Sequence, residues 1–439
     1  MSIKELDAIQ KIGCACGKSH AADIDKILCG AGVVRELPAI LHEYGAKKPY
    51  VLCDRNTYAA AGERVCALLD EAGISYSLYT YKDERPAPNE HNVGLAMMFL
   101  PGDADFVIGV GSGVINDIGK IVSNVKGVRY AIVGTAPSMD GYASASSSMT
   151  REGLKISLSS RAPDVIIGDT DILCKAPLKM MKSGLGDMLA KYTSICEWRI
   201  AHLITGEYYC EEIAALVRGA LKKCVDLADK LLTRDPDAVA AVFEGLVITG
   251  VAMTLAGVSR PASGIEHYLS HVWDMRALEF GTPEDLHGIQ CAVGTLISVK
   301  LYEKLRALSP DREKALAYVE RFDFAAWAEE LKKFLGKSAD AMIELEKKEK
   351  KYDKDAHRAR LEVILSNWDN ILRIMDEELP TAEAISALLT AIDASKTMSD
   401  IGFDEKTLPM TFFAAKDIRD KYVLPRLAWD LGVIEDLVV

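Results

Sequence analysis

The sequence predicts an α/β nucleotide-binding domain built on a parallel sheet, followed by an all-helical domain. Three observations carry that expectation. Before residue 175, short apolar runs alternate with helical stretches. After it, strand signals stop and long segments with helical periodicity follow, broken by Pro or Gly at TRDPDA, SRPASG and GTPED. A glycine-rich turn also follows one of the apolar runs directly. The two domains are accordingly placed at 1–174 and 175–439.

In chain order, the apolar runs are PYVLCD (49–54), YSLYTY (76–81), DFVIGVG (105–111), RYAIVGT (129–135) and DVIIGD (164–169). Turn formers such as Gly and Asp punctuate them, and segments such as AAGERVCALLDEAG (60–73) lie between, the pattern of strands joined by crossover helices. In the second half, ELEKKEKKYDKDAHRARLE (344–362) interleaves acids with bases and reads as a solvated helix face or exposed connection. AVAAVFEGLVITGVAMTLAGVS (238–259) is long and apolar enough to raise the question of a membrane span. Its Glu244, its three glycines and the lack of similar neighbours make it a buried helix of the helical domain instead.

Charge narrows the function classes. Asp and Glu number 64 against 52 Lys and Arg, a net charge of −12, which argues against nucleic acid or an anionic membrane as partner. With 49% hydrophobic and 26% charged residues the chain is neither disordered nor fibrous. MSIKELDAIQKIG lacks the apolar core of a secretory leader. Most of the ten cysteines sit in apolar runs, so a cytoplasmic protein with reduced thiols is expected. CACGKSH (14–20) stands apart. Cys-x-Cys with a nearby His is a zinc-type pattern, but no fourth ligand or mirrored cysteine pair accompanies it, and it reads as a turn.

Two polar loops point to a nucleotide. GVGSGVINDIGK (109–120) places Gly109, Gly111 and Gly113 between a strand and a helix, where the backbone can approach a ligand and helix N–H groups can meet a pyrophosphate. The spacing is G-x-G-x-G, not the G-x-G-x-x-G fingerprint, and the candidate ribose acid, Asp54, precedes the loop. TAPSMDGYASASSSM (135–149) follows the next strand, with hydroxyls at Thr135, Ser138 and Ser144 and a carboxylate at Asp140. Alone, it would pass for a polar surface loop.

A third set has the residue types of a metal site. SGLGDMLAKYTS carries Asp187 near a helix start, EHYLSHVWDM carries His267 and His271 one turn apart, and DLHGIQCAVG carries His287. Asp plus two His would supply three N/O ligands and leave a position open for Lewis-acid catalysis. The same histidines would equally suit a core or a helix surface, and the His-Glu-x-x-His protease pattern is absent.

Together and in this order, GSGVINDIGK, TAPSMDGYASAS, SGLGDMLAKY, SGIEHYLSH, LHG and KYVLPRLAWDLGVIEDL resemble the sn-glycerol-1-phosphate dehydrogenase family. That family lies among the metal-dependent polyol and iron-containing alcohol dehydrogenases, with a dehydroquinate synthase-like fold. The resemblance implies NAD(P)-dependent, metal-dependent reduction of dihydroxyacetone phosphate to sn-glycerol 1-phosphate and its reverse, in phospholipid metabolism. It places Gly113, Val114, Ile115, Asn116 and Asp117 on the pyrophosphate, Thr135, Ser138 and Ser144 on the cofactor, and Asp54 on the adenosine ribose. Asp140 would bind substrate, and Asp187, His267 and His287 would hold one divalent metal (zinc, nickel or iron), with Asp187 near the substrate too. His271 would sit beside the substrate as a proton relay. One departure is GVGSG, where many relatives have a plain triple glycine. NAD is the expected cofactor, with NADP possible through Arg55, and Lys120, Arg151, Lys155 and Lys191 are the cations expected near a substrate phosphate. A homo-oligomer, as a dimer, is implied as well. Three alternatives stay open: a glycerol or other polyol dehydrogenase, a dehydroquinate-synthase-like lyase, and a non-catalytic nucleotide sensor.

Overall fold

The computed structural model describes residues 14–438 except Glu84 and Gly153, so the segment MSIKELDAIQKIG, read as lacking a leader, lies outside the described residues. The chain forms two compact units. The first ends at Met188 and resumes over Ala215–Val258; the second takes Leu189–Ala214 and continues from Ser259. The boundary read at 174 thus differs from the observed division, which leaves two later stretches of helix with the sheet-bearing unit.

In the first unit the strands are β1 (Lys26–Gly30), β2 (Pro49–Asp54), β3 (Ser77–Tyr81), β4 (Phe106–Gly111), β5 (Arg129–Gly134), β6 (Ser146–Arg151), β7 (Leu154–Ser159) and β8 (Val165–Asp169). Six of them form one parallel sheet in the order β1-β8-β5-β4-β2-β3, and β6 and β7 pair as an antiparallel hairpin. The five expected runs are all strands. Interior β2, β4 and β8 are buried along their whole length, as a sheet covered on both faces requires. The direction of strand addition reverses between β2 and β4, so Asp54 and Gly111 end neighbouring strands at a switch point, the position where open α/β sheets bind ligands.

Seven helices frame the functional residues: α1 (Gly113–Lys126), α2 (Leu178–Leu189), α3 (Lys191–Thr205), α4 (Glu211–Asp226), α5 (Pro236–Ala256), α6 (Ile265–Phe280) and α7 (His287–Arg306). The long apolar segment is α5; 78% of its most apolar window is buried. It packs in the sheet-bearing unit, not in the helical one as expected. Phe243 occupies the space that side chains at Gly134 of β5 and Gly168 of β8 would need, and Glu244 pairs with Lys223 at 2.6 Å.

No strand follows Asp169 among the described residues. The second unit is helical around a core that includes Trp273, Trp327 and Trp429. The charged run at 344–362 is no simple solvated face. Glu346 and His357 are buried, and the carboxylates of Glu346 and Asp417 flank the Arg426 guanidinium at 3.4 and 2.8 Å. Arg360 pairs with buried Asp430 at 2.9 Å.

Candidate active site

The glycine loop divides its work. A side chain at Gly109 or Gly119 would collide with the Tyr130 phenol, and one at Gly111 would collide with Ile115, so these glycines serve packing of α1 on the sheet. Their expected role in ligand approach falls to Gly113, the first residue of α1. Asn116 N–H bonds to Ser112 C=O at 2.9 Å. The preceding N–H groups of Gly113, Val114 and Ile115 are first-turn donors, which have no partner within their own helix and suit an anion. The Ser112 and Ser138 hydroxyls lie 2.5 Å apart beside that helix start.

The two residues expected to continue the cradle turn elsewhere. The Asn116 amide donates to the Gly141 carbonyl at 3.0 Å, and Asp117 pairs with Lys120 at 2.9 Å. Lys120 is fully buried and donates to Gly141 O at 3.2 Å and Ser144 Oγ at 3.3 Å. Ser144 Oγ in turn reaches the carbonyls of Gly141 and Ser146. These four side chains hold the 141–146 loop against α1. Thr135 is buried, its N–H bonded to Gly111 C=O at 3.0 Å, which ties the ends of β4 and β5 together. Asp54 caps the turn after β2: one carboxylate oxygen accepts Thr57 N–H at 2.9 Å while Thr57 Oγ1 accepts Asp54 N–H at 3.0 Å.

SGLGD in α2 acts as a strap. Ser183 Oγ donates to Ser138 C=O at 2.9 Å, and Gly184 lies so close to the Pro137 carbonyl that no side chain fits. One turn on, fully buried Asp187 accepts the Asp140 N–H at 2.9 Å. Serine, glycine and aspartate at this spacing thus clamp the 137–140 loop and orient one carboxylate.

In the second unit, His267 and His287 face each other with ring centroids 4.9 Å apart, and His271 stacks on His287 at 6.1 Å. His267 Nδ1 bonds to Glu266 Oε1 at 2.9 Å. A carboxylate only accepts, so Nδ1 carries the proton and Nε2 the lone pair. Ser270 Oγ, which donates to Gln290 Oε1 at 2.6 Å, lies 3.1 Å from His287 Nδ1. Burial pushes the Glu266 carboxyl up, but hydrogen bonds from His267, Thr193 and the Gly264 N–H outweigh it and hold the group below its ordinary range. Neighbouring Glu197 goes the other way, to about 8: burial and the Glu266 charge raise it against N–H bonds from Leu424 and Ile265. A carboxylate–imidazole pair of this kind fixes the tautomer and the ring orientation of a metal-binding histidine, so the donor chemistry of His267 and His287 fits a divalent metal. Sequence reasoning missed Cys291, one turn after His287, whose buried Sγ lies 3.5 Å from His287 Nε2. It missed Glu266 as well, although SGIEHYLSH placed the acid next to the histidine.

Of the expected phosphate-binding cations, Lys120 is committed as described and Lys191 donates to the Ala262 carbonyl at 2.9 Å. Arg151 is exposed on the β6–β7 hairpin, and the Lys155 side chain is not among those described.

Residues 28–177 match the model of the iron-containing alcohol dehydrogenase family. The chain is 34% identical over 294 residues to glycerol-1-phosphate dehydrogenase [NAD(P)+] of Halalkalibacterium halodurans, covering 66% of this chain and 74% of that protein. The chain belongs to the glycerol-1-phosphate dehydrogenase family. A Geobacillus stearothermophilus member of the family is 28% identical over 410 residues, 92% of each chain. Among solved structures, glycerol dehydrogenase from Schizosaccharomyces pombe aligns with a TM-score of 0.61 and 15% identity, over 95% of this chain and 92% of that one. That likeness gives the fold, the dehydroquinate synthase-like architecture of the iron-containing alcohol dehydrogenases.

Proposed function

We propose that this member of the glycerol-1-phosphate dehydrogenase family interconverts dihydroxyacetone phosphate and sn-glycerol 1-phosphate with NAD(H) or NADP(H). The observation that carries the reading is the Glu266–His267 pair facing His287, a metal-binding arrangement in a chain of this family. Asp187, His267 and His287 are the ligands in this proposal. Bound there, a divalent ion (zinc, nickel or iron) supplies Lewis-acid stabilisation to the substrate carbonyl, and the nicotinamide supplies the hydride.

The chain's own residues do the rest. N–H groups of Gly113, Val114 and Ile115 receive the pyrophosphate, and Thr135 and Ser138 line the cofactor beside them. Asp54 takes the adenosine ribose with the carboxylate oxygen not used in its cap. Asp140 orients a substrate hydroxyl, and His271 passes the proton to the nascent alcohol oxygen. Asn116, Asp117, Lys120 and Ser144 act one step back, holding the loop that carries Asp140. Lys120 and Lys191 are turned to protein carbonyls, so the phosphate is assigned to neither. The enzyme is placed in the cytoplasm as a homodimer, a state that sedimentation and cell fractionation would check; a monomer or an exported protein would refute it.

The test compares dihydroxyacetone phosphate with dihydroxyacetone as oxidants of NADH and NADPH on metal-loaded enzyme. A phosphate contact of about 2–4 kcal/mol gives a preference of about thirty- to a thousandfold in kcat/KM. Comparable efficiency for the two ketones overturns the phosphate reading in favour of a polyol dehydrogenase.

A further inference from the structure

The segment CACGKSH at the start of the described chain has no part in the dehydrogenase site, yet its side chains converge. Cys14 Sγ, Cys16 Sγ and a His20 ring nitrogen all lie within 4.8 Å of one another. The turn that brings the two cysteines together closes through Gly17 N–H to Cys14 C=O at 3.0 Å. Gly17 has φ +80° with nothing near its missing side chain, so glycine is there for the left-handed conformation and not for space. Cys14 and His20 are buried.

His20 shows what the cluster is for. Its Nδ1 lies 2.9 Å from the Leu255 carbonyl, in the last turn of α5. That oxygen is one of the terminal helix carbonyls without a partner in its own helix, and it can only accept. Nδ1 therefore carries the proton, and Nε2, 3.3 Å from Cys16 Sγ, carries the lone pair. A carbonyl that fixes the tautomer so that the other nitrogen faces two thiols is the outer shell of a metal-bound histidine. A packing histidine would need neither the tautomer nor the paired sulfurs.

We infer that Cys14, Cys16 and His20 bind a zinc ion. Two thiolates and an imidazole select zinc over magnesium or calcium. With Zn²⁺ this Cys₂His set carries no net charge, and binding releases the two thiol protons to solvent. The ion fastens the 14–20 segment to the end of α5.

The experiment uses the full chain with His267 and His287 both replaced by Ala, which removes the proposed catalytic ligands and separates this inference from the enzymatic one. Purified without added metal, that protein should hold one zinc per chain by mass spectrometric metal analysis. Its cobalt(II) form should show a thiolate-to-metal charge-transfer band in the near ultraviolet and intense tetrahedral bands in the visible. Adding Cys14→Ser with Cys16→Ser should abolish both zinc and bands. Should that variant fail to fold, His20→Cys, which preserves three donors, should keep the zinc, whereas His20→Ala should lose it. Zinc content near zero in the parent, or cobalt spectra without the thiolate band, overturns the site.

Discussion

The two units build their functional groups in opposite ways. In the first, the groups that would meet a nucleotide are main-chain N–H donors at the start of α1, and glycines and serines clear and clamp the space around them. In the second, the groups that would meet a metal are side chains, and buried carboxylates hold them: Glu266 fixes His267, and Glu197 fixes the N–H of Ile265 at 2.9 Å and of Leu424 at 2.7 Å. The first design is sensitive to an added methyl group, the second to a lost charge.

The largest expected effect breaks the second design at its centre. His267→Ala should remove the metal and lower kcat/KM by about a thousandfold or more. Glu266→Gln should keep the imidazole yet weaken metal binding by about ten- to a hundredfold, read by competition with a chelator. Equal affinity in wild type and Glu266→Gln would show that the carboxylate does not prepare the histidine for the metal. Next comes Arg426→Met, which leaves Glu346 and Asp417 without their shared guanidinium and should cost about 3–5 kcal/mol in denaturant unfolding. A cost under about 1 kcal/mol would mean that the neighbouring Lys351 and Lys416 neutralise both acids on their own.

In the first unit, Gly184→Ala adds one methyl against the Pro137 carbonyl and should cost about 1–3 kcal/mol, with weakened cofactor binding, although no charge changes. Wild-type stability in that variant would refute the methyl-sensitive half of the contrast. Asp54→Gly should raise the NADP-to-NAD ratio of kcat/KM by about tenfold, because the carboxylate opposes a 2′-phosphate. The lost cap costs only a few tenths of a kcal/mol when Gly replaces it. The smallest effect is in pH dependence. Glu197 is raised from 4.5 to about 8, so the folded state holds its proton more tightly than the unfolded one. Its contribution is full below the ordinary glutamate value and is lost as pH rises through about 8. Glu197→Gln should therefore flatten the decline of stability over that window; parallel curves would show an unshifted carboxyl.

The same contrast explains what could be read in the sequence. Four of the five strands that stood out are buried along nearly their whole length and so read as continuous apolar runs, PYVLCD among them, while β3 at the sheet edge stood out by its tyrosines. KILCG of β1 is short and half-exposed, and the β6–β7 hairpin begins SSSMTR, so neither has an apolar run to show. The candidate histidines and Asp187 were visible as residue types embedded in motifs. Their supports were not: Glu197 reaches Ile265 and Leu424 across long stretches of chain, and no local pattern announces such a partner. The run at 344–362 misled for the same reason, since Glu346 finds Arg426 only in the folded state. Gly109 and Gly119 were legible as glycines, but the Tyr130 phenol that explains them lies on the next strand.

The α2 strap has a consequence for communication within the first unit. Ser138 offers its hydroxyl toward the start of α1 and its carbonyl to Ser183, while Asp140, two residues on, gives its N–H to Asp187. A nucleotide that settles against Ser138 therefore presses on the same short strip of main chain that aims the Asp187 carboxylate. Free energy exchanged through such a strip runs equally in both directions. The nucleotide and whatever the carboxylate holds should each change the other's affinity by one and the same factor.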